Sequence, residues 1–144
     1  MINDPLLGPV VTLVAWSLVM LVWLVIARIP AMKKAGIDLS TRVGSTPGAL
    51  DGVVADKAQW KAHNYIHLME QPTLFYAIVF ALILMGQSLP LNVALAWAYV
   101  GLRIVHSFVQ ATWNRILVRF ILFALSTLCL VALTLHAALG LLRG

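Results

Sequence analysis

Residues 6–27 read LLGPVVTLVAWSLVMLVWLVIA, twenty-two positions without a charged side chain. A helix crosses the hydrocarbon of a bilayer with about 20 such residues. The run is longer than a signal-peptide core, and Asp4 stands where a signal peptide carries positive charge, so it is expected to remain as a first span. Working outward, apolar patterning predicts spans over 6–28, 60–86, 91–111 and 115–142. The whole chain has 144 residues, 62% hydrophobic and 10% charged. Globular domains carry about 25% charged residues, so this surface cannot face water on all sides. At about 20 residues per span the length allows five or six crossings at most, which rules out a large transporter within one chain. The expected fold class is an all-α integral membrane protein, one four-transmembrane-helix bundle.

Ten Lys and Arg against five Asp and Glu give a net charge of +5. Lys33, Lys34, Arg42 and Lys57 fall in the link between the first two spans, and Arg115 and Arg119 flank the link between the last two. The outer link, Gln87-Ser88-Leu89-Pro90, has none. Cations concentrate on cytoplasmic sides, so the termini should both lie outside, with Arg143 as the exception. The charge reads as topology, and no nucleic-acid partner is expected. Residues 30–56 form the one long connection, a linker or an ordered lid. Cys129 is the single cysteine, which excludes an intrachain disulfide and reads as a small buried hydrophobe.

Polar side chains inside the spans carry the functional signal. Glu70 is the only glutamate and lies within the second span. A charge there costs about 2.5–3.5 kcal/mol even on mild scales, so it should face a bundle interior or a wet cavity. His63, His67 and Glu70 fall within about 60° of one another on a helix. The third span has a matching stripe of Tyr99, Arg103, His106, Ser107, Gln110 and Asn114. A hairpin centred near Leu89 would set Glu70 level with Ser107, His67 with Gln110 and His63 with Asn114. Arg103 would then lie about one turn deeper, in reach of Glu70 for a direct ion pair. Pro72 removes a backbone hydrogen bond to Leu68 and should kink or loosen the second span. Asn114 reads as an N-cap and, with Arg115, makes an electropositive point that favours an ionised thiol, the chemistry that activates glutathione.

Other readings of these residues stay open. His63, His67, Glu70 and His106 could ligate a metal, although Arg103 and Arg115 nearby would repel one. Two histidines could hold haem. The stripes could also be a seam that fastens helices together. His136 reads as a packed or interfacial histidine, and Arg119 as a snorkelling one.

The order of these motifs resembles the MAPEG family, membrane-associated proteins in eicosanoid and glutathione metabolism. The segment from Lys61 to Pro72, KAHNYIHLMEQP, is similar to the helix-2 signature, and its ending through Tyr76 is especially like the bacterial branch. Arg103-Ile104-Val105-His106 resembles the helix-3 motif and Asn114-Arg115 the opening of helix 4. The resemblance implies a homotrimer in a bacterial inner membrane, with glutathione as cosubstrate bound between subunits near the cytoplasmic face. It implies that Glu70 holds the glutathione amino group and that Arg103 and His106 support the pocket. His63, Asn64, His67, Gln110 and Asn114 would join them as binding residues. Arg115 would be the catalytic residue, stabilising the thiolate as it attacks a lipophilic electrophile or peroxide. This chain departs from glutathione-using members at His67, where Asn is common, and at Gln110, where Tyr is common. The family also includes a non-enzymatic lipid-binding member, so a non-catalytic protein that binds lipid or a partner is the alternative.

Overall fold

The computed structural model describes residues 3–46 and 48–144; Met1, Ile2 and Pro47, a residue of the long link, lie outside the described residues. Four helices run antiparallel: α1 (Leu7–Lys34), α2 (Asp56–Leu84), α3 (Pro90–Phe108) and α4 (Ile116–Arg143). A π-helical turn, Val109–Trp113, extends α3. All four are long and apolar enough to cross a membrane, and no strand occurs among the described residues.

The helices overrun the apolar runs at the loop end. Helix α1 continues past residue 28, through Pro30, to Lys34, and α2 begins at Asp56 rather than 60. Hydrophobicity reports only the part in hydrocarbon, whereas backbone hydrogen bonding carries a helix on into the headgroups. Helix α2 is continuous across Pro72, which is buried. Its end is set by Gly86 at φ +66°, where Gln87 N–H bonds Leu82 C=O and Gly86 N–H bonds Ile83 C=O. That left-handed residue closes the helix with paired carbonyls, and glycine takes the conformation without a Cβ penalty.

Helix α3 packs chiefly on α4, and α1 on α2. The core contains Leu13 and Met20 of α1, Leu68, Phe75 and Val79 of α2, Tyr99 and Val100 of α3, and Leu133 of α4. Phe75 and Tyr99 stack with ring centroids 4.4 Å apart. Val11, Leu18, Ile26, Leu74, Phe80, Leu128 and Leu135 point outward. In water such a surface would aggregate; against acyl chains it is the ordinary solvent-facing side. Hydroxyls within the helices bond back to their own backbone, as Ser17 does to Leu13 C=O and Thr134 to Leu130 C=O. Each leaves no free donor in lipid.

Gln71 fastens three helices together. Its Oε1 accepts from Tyr99 Oη at 3.2 Å and its Nε2 donates to Thr127 Oγ1 at 2.9 Å. The sequence stripes did not include it, because it sits one position round from Glu70. These contacts fix the α2–α3 register, which differs from the one expected. His67, expected level with Gln110, meets Arg103 and His106 instead. The hairpin turns at Gly86 rather than Leu89, so α3 slides relative to α2.

The long link is tied down at its α2 end. Leu50 and Val54 bury against Met32 and Ala58. Asp51 accepts hydrogen bonds from Gln59 Nε2 at 3.0 Å and pairs with His63 Nε2 at 2.9 Å. The bond from Gln59, then the one from His63, holds the Asp51 carboxyl below its ordinary value.

Two measurements check this packing. Gln71→Leu leaves the buried Tyr99 hydroxyl without an acceptor, so unfolding in mixed micelles should show a loss of about 1–3 kcal/mol. Adding Tyr99→Phe to that variant should recover part of the loss. A depressed Asp51 pKa gives stabilisation that is complete above the unfolded value and is lost as pH falls through the lower folded one. Hydrogen exchange at the Val53 and Val54 amides, both bonded to Leu50 C=O, should therefore lose protection as pH falls from about 5 to about 3. In Asp51→Asn that pH step should vanish.

Candidate functional site

The site is built where α2, α3 and α4 meet near the loop end of the bundle. On α3 the expected polar stripe faces inward: Tyr99, Arg103, His106, Ser107 and Gln110 are all buried. Arg103 is 1% exposed. Its guanidinium lies 5.7 Å from the ring centroids of both Tyr99 and Phe123, on π faces that attract a cation.

Glu70 and Arg103 do not pair directly in one subunit; His67 stands between them. Arg103 Nη1 lies 3.4 Å from His67 Nε2, and His67 Nδ1 lies 3.5 Å from Glu70 Oε2. Arginine only donates, so Nε2 accepts and Nδ1 carries the proton toward the carboxylate. A neutral imidazole thus links a buried cation to an anion whose side chain is 63% exposed. The register shift explains the correction: α3 brings Arg103 to the level of His67, one helical turn before Glu70. His106 stacks beside His67 with centroids 4.9 Å apart, and Phe123 closes the other side at 5.7 Å.

The turn into α4 differs from the expected cap. The π turn ends with Asn114 N–H bonded to Val109 C=O, and Asn114 adopts φ 52° and ψ 33°. Asn is among the few residues that take this left-handed conformation readily. Arg115, not Asn114, occupies the N-cap position of α4, and neither side chain caps it. Asn114 Oδ1 instead accepts from Arg119 Nη1 at 2.7 Å. Arg115 is exposed and lies over the Trp113 ring at 4.8 Å.

Between these elements lies a recess of about 240 Å³, lined by His67, His106, Ile116, Arg119, Phe120 and Phe123. Arg119, which sequence reading left as a snorkelling residue, is the cation of this recess, and Arg115 does not line it. The one sequence cue was its place a full turn after Arg115 on the same face of α4. Asn64 on α2 is fully buried, and both its amide atoms lack partners. Arg103 Nε and Nη2, Ser107 Oγ, Gln110 Oε1 and Arg119 Nε are also buried and unpaired. Each such group costs about 1–3 kcal/mol when left dry, so this end of the bundle is built to receive water or a polar ligand.

Of the residues considered as metal ligands, His67 lies beside His106 and Glu70, but the set of four does not converge. His63 turns to Asp51, and no group of three His, Cys, Asp or Glu suited to a metal forms among the described residues. The fold and site therefore define a four-helix integral membrane protein with a polar recess between helices. A profile of the MAPEG family matches residues 6–139, and the chain belongs to that family. No curated protein and no solved structure matches the sequence significantly.

Arg103→Met tests whether the buried charge serves ligand or fold. Arg103 has no directly paired carboxylate, so an apolar side chain of similar size removes the cost of a buried charge without leaving a bonded anion behind. The melting temperature of the variant in detergent should hold or rise, while ligand binding at the recess is lost. A melting temperature lower by several degrees would make Arg103 a structural residue.

Proposed function

We propose that this protein is a glutathione-dependent transferase or peroxidase acting on lipophilic substrates at the cytoplasmic face of a bacterial inner membrane. The observation that carries this reading is the Arg103–His67–Glu70 chain, which joins a sealed guanidinium to an outward-facing carboxylate beside the Arg119 recess. Glutathione offers a free ammonium, two carboxylates, two amides and a thiol. Glu70 would bind the ammonium. The unpaired donors of Arg103 and the free amide atoms of Asn64 and Gln110 match carboxylate and peptide groups. His106 shapes the recess, Asn114 positions Arg119, and His63 ties the cytoplasmic link to the mouth.

A homotrimer completes the site in this reading. One subunit offers only about 240 Å³, below the roughly 300–1,000 Å³ of ordinary ligand pockets. It also leaves Glu70 on a surface that would otherwise meet lipid, at a cost of about 2.5–3.5 kcal/mol. A neighbouring subunit would enclose the carboxylate and add the missing wall. Arg119 would stabilise the thiolate within the recess, while Arg115 lies on the outward surface over the Trp113 ring. The thiolate attacks an electrophilic carbon, forming a C–S bond as the leaving group departs with its electron pair. With a peroxide it attacks oxygen, the O–O bond breaks to give an alcohol, and a second glutathione reduces the resulting sulfenic acid to the disulfide with loss of water.

The exposed position of Arg115 favours one other reading, a non-catalytic MAPEG protein whose recess holds lipid or a partner. A glutathione titration of the detergent-solubilised oligomer, paired with conjugation of a lipophilic electrophile, separates the two. Glu70→Gln should weaken glutathione binding about tenfold, the size of one lost charge-assisted hydrogen bond. Arg119→Ala should lower turnover by about 10²-fold with little change in binding, as for a group that acts on developing charge. Loss of turnover in Arg115→Ala alone would transfer the catalytic role to Arg115. No glutathione binding by the unaltered protein would leave the lipid-binding reading.

A further inference from the structure

The opposite end of the bundle, where α1 begins and α4 ends, carries a second polar recess unrelated to the one above. It has a volume of about 380 Å³ and lies between the α2–α3 link, the start of α3 and the end of α4. Its floor is a hydrogen-bonded chain. Asn92, which is fully buried, donates from Nδ2 to Gln87 C=O at 2.8 Å, and its Oδ1 meets His136 Nδ1 at 2.5 Å. Because the Nδ2 donation fixes the amide orientation, His136 Nδ1 must be the donor to Oδ1. The neutral ring therefore keeps Nε2 as a bare acceptor, and Nε2 makes no hydrogen bond among the described residues.

Arg143 lines the same recess and has no carboxylate partner among the described residues. The acid at this end, Asp4, is engaged with Ser88 Oγ and Leu6 N–H. The carbonyl end of α4 disfavours an anion here, and Arg143 in its last turn offsets that. The first turn of α3, opening at Pro90, has no side-chain cap, and its Leu91 and Asn92 line the recess. Gly140 gives the Gln87 side chain its place against α4, since a Cβ there would fall 2.3 Å from Gln87 Nε2, and a large residue at 140 would push that side chain into the recess. One wall is exposed leucine, including Leu139, at the membrane boundary.

We infer that this recess binds the headgroup of a membrane phospholipid, with phosphate on Arg143 and a headgroup hydrogen-bond donor on His136 Nε2. The acyl chains lie along the leucine wall. A headgroup ammonium or hydroxyl satisfies Nε2, whereas a quaternary ammonium has no proton to give. The site thus selects phosphatidylethanolamine or phosphatidylglycerol over phosphatidylcholine, and excludes diacylglycerol.

Native mass spectrometry of the detergent-solubilised protein tests this, with each of those four lipids and inorganic phosphate added in separate arms. Phosphatidylethanolamine and phosphatidylglycerol should be retained. Arg143→Gln should weaken them about tenfold, Arg143→Lys should largely keep them, and His136→Phe should abolish the preference over phosphatidylcholine. Gly140→Leu should block binding. Arg143 is exposed, so its variants test binding even if the glycine variant fails to fold. Equal retention of diacylglycerol, or unchanged phospholipid binding in Arg143→Gln, overturns the assignment. Binding of inorganic phosphate without phospholipid overturns it too, as a free-anion site. Glutathione titration of Arg143→Gln should match the unaltered protein, because the two recesses lie at opposite ends.

Discussion

A guanidinium sealed inside a membrane-spanning bundle is the constraint to which the loop end of this protein answers. Arg103 cannot lose its charge and is almost wholly removed from solvent. Water is scarce at that depth, so its environment must come from side chains. Two aromatic faces, one imidazole and a carboxylate one step further out provide part of it. Donors are left over on it, and Asn64, Ser107 and Gln110 at the same end also carry unpaired polar atoms. A seam meant only to fasten helices would satisfy its own members, as Gln71, Tyr99 and Thr127 do a turn away. The contrast between a closed polar link and an open one marks the second as a place for something else.

The same rule governs the rest of the bundle. Ser17, Thr127 and Thr134 bond their hydroxyls back to their own helices, whereas Ser107 does not, and helix ends close on glycine or on the π turn. Most of the buried polar atoms that stay unpaired lie toward the loop end, with Trp16 Nε1 inside α1 apart from them. Glu70 is a different case. It lies within the apolar part of α2, yet its side chain is mostly exposed from a single subunit. An exposed carboxylate at that depth is costly against acyl chains, and the oligomer proposed above would cover it.

The two recesses differ in how they are built. The loop-end recess uses aromatic and imidazole rings around arginine, with orphaned amides nearby, and suits a compact polar molecule beside apolar substrate. The recess at the opposite end has one cation, one fixed imidazole tautomer and a leucine wall, and suits an amphiphile. The link between α1 and α2 lies at the same end as the first and is held to α2 through Asp51 and His63.

Span number, antiparallel order and the inward face of α3 were legible in the sequence, because hydrocarbon imposes a length and a periodicity that composition cannot hide. Glu70, Arg103 and His106 stood out for the same reason, as polar residues where lipid forbids them. The register was not legible: one glycine at positive φ moved the turn to residue 86 and set Arg103, rather than Gln110, against His67. Nor could spacing show that Asn114 takes a left-handed conformation and sends Arg115 outward while Arg119 turns in. Those outcomes depend on how α2, α3 and α4 pack. The sequence by itself determined which side chains could not face lipid; only the tertiary structure decided which of them meet, because packing alone fixes the slide and rotation of one helix against another.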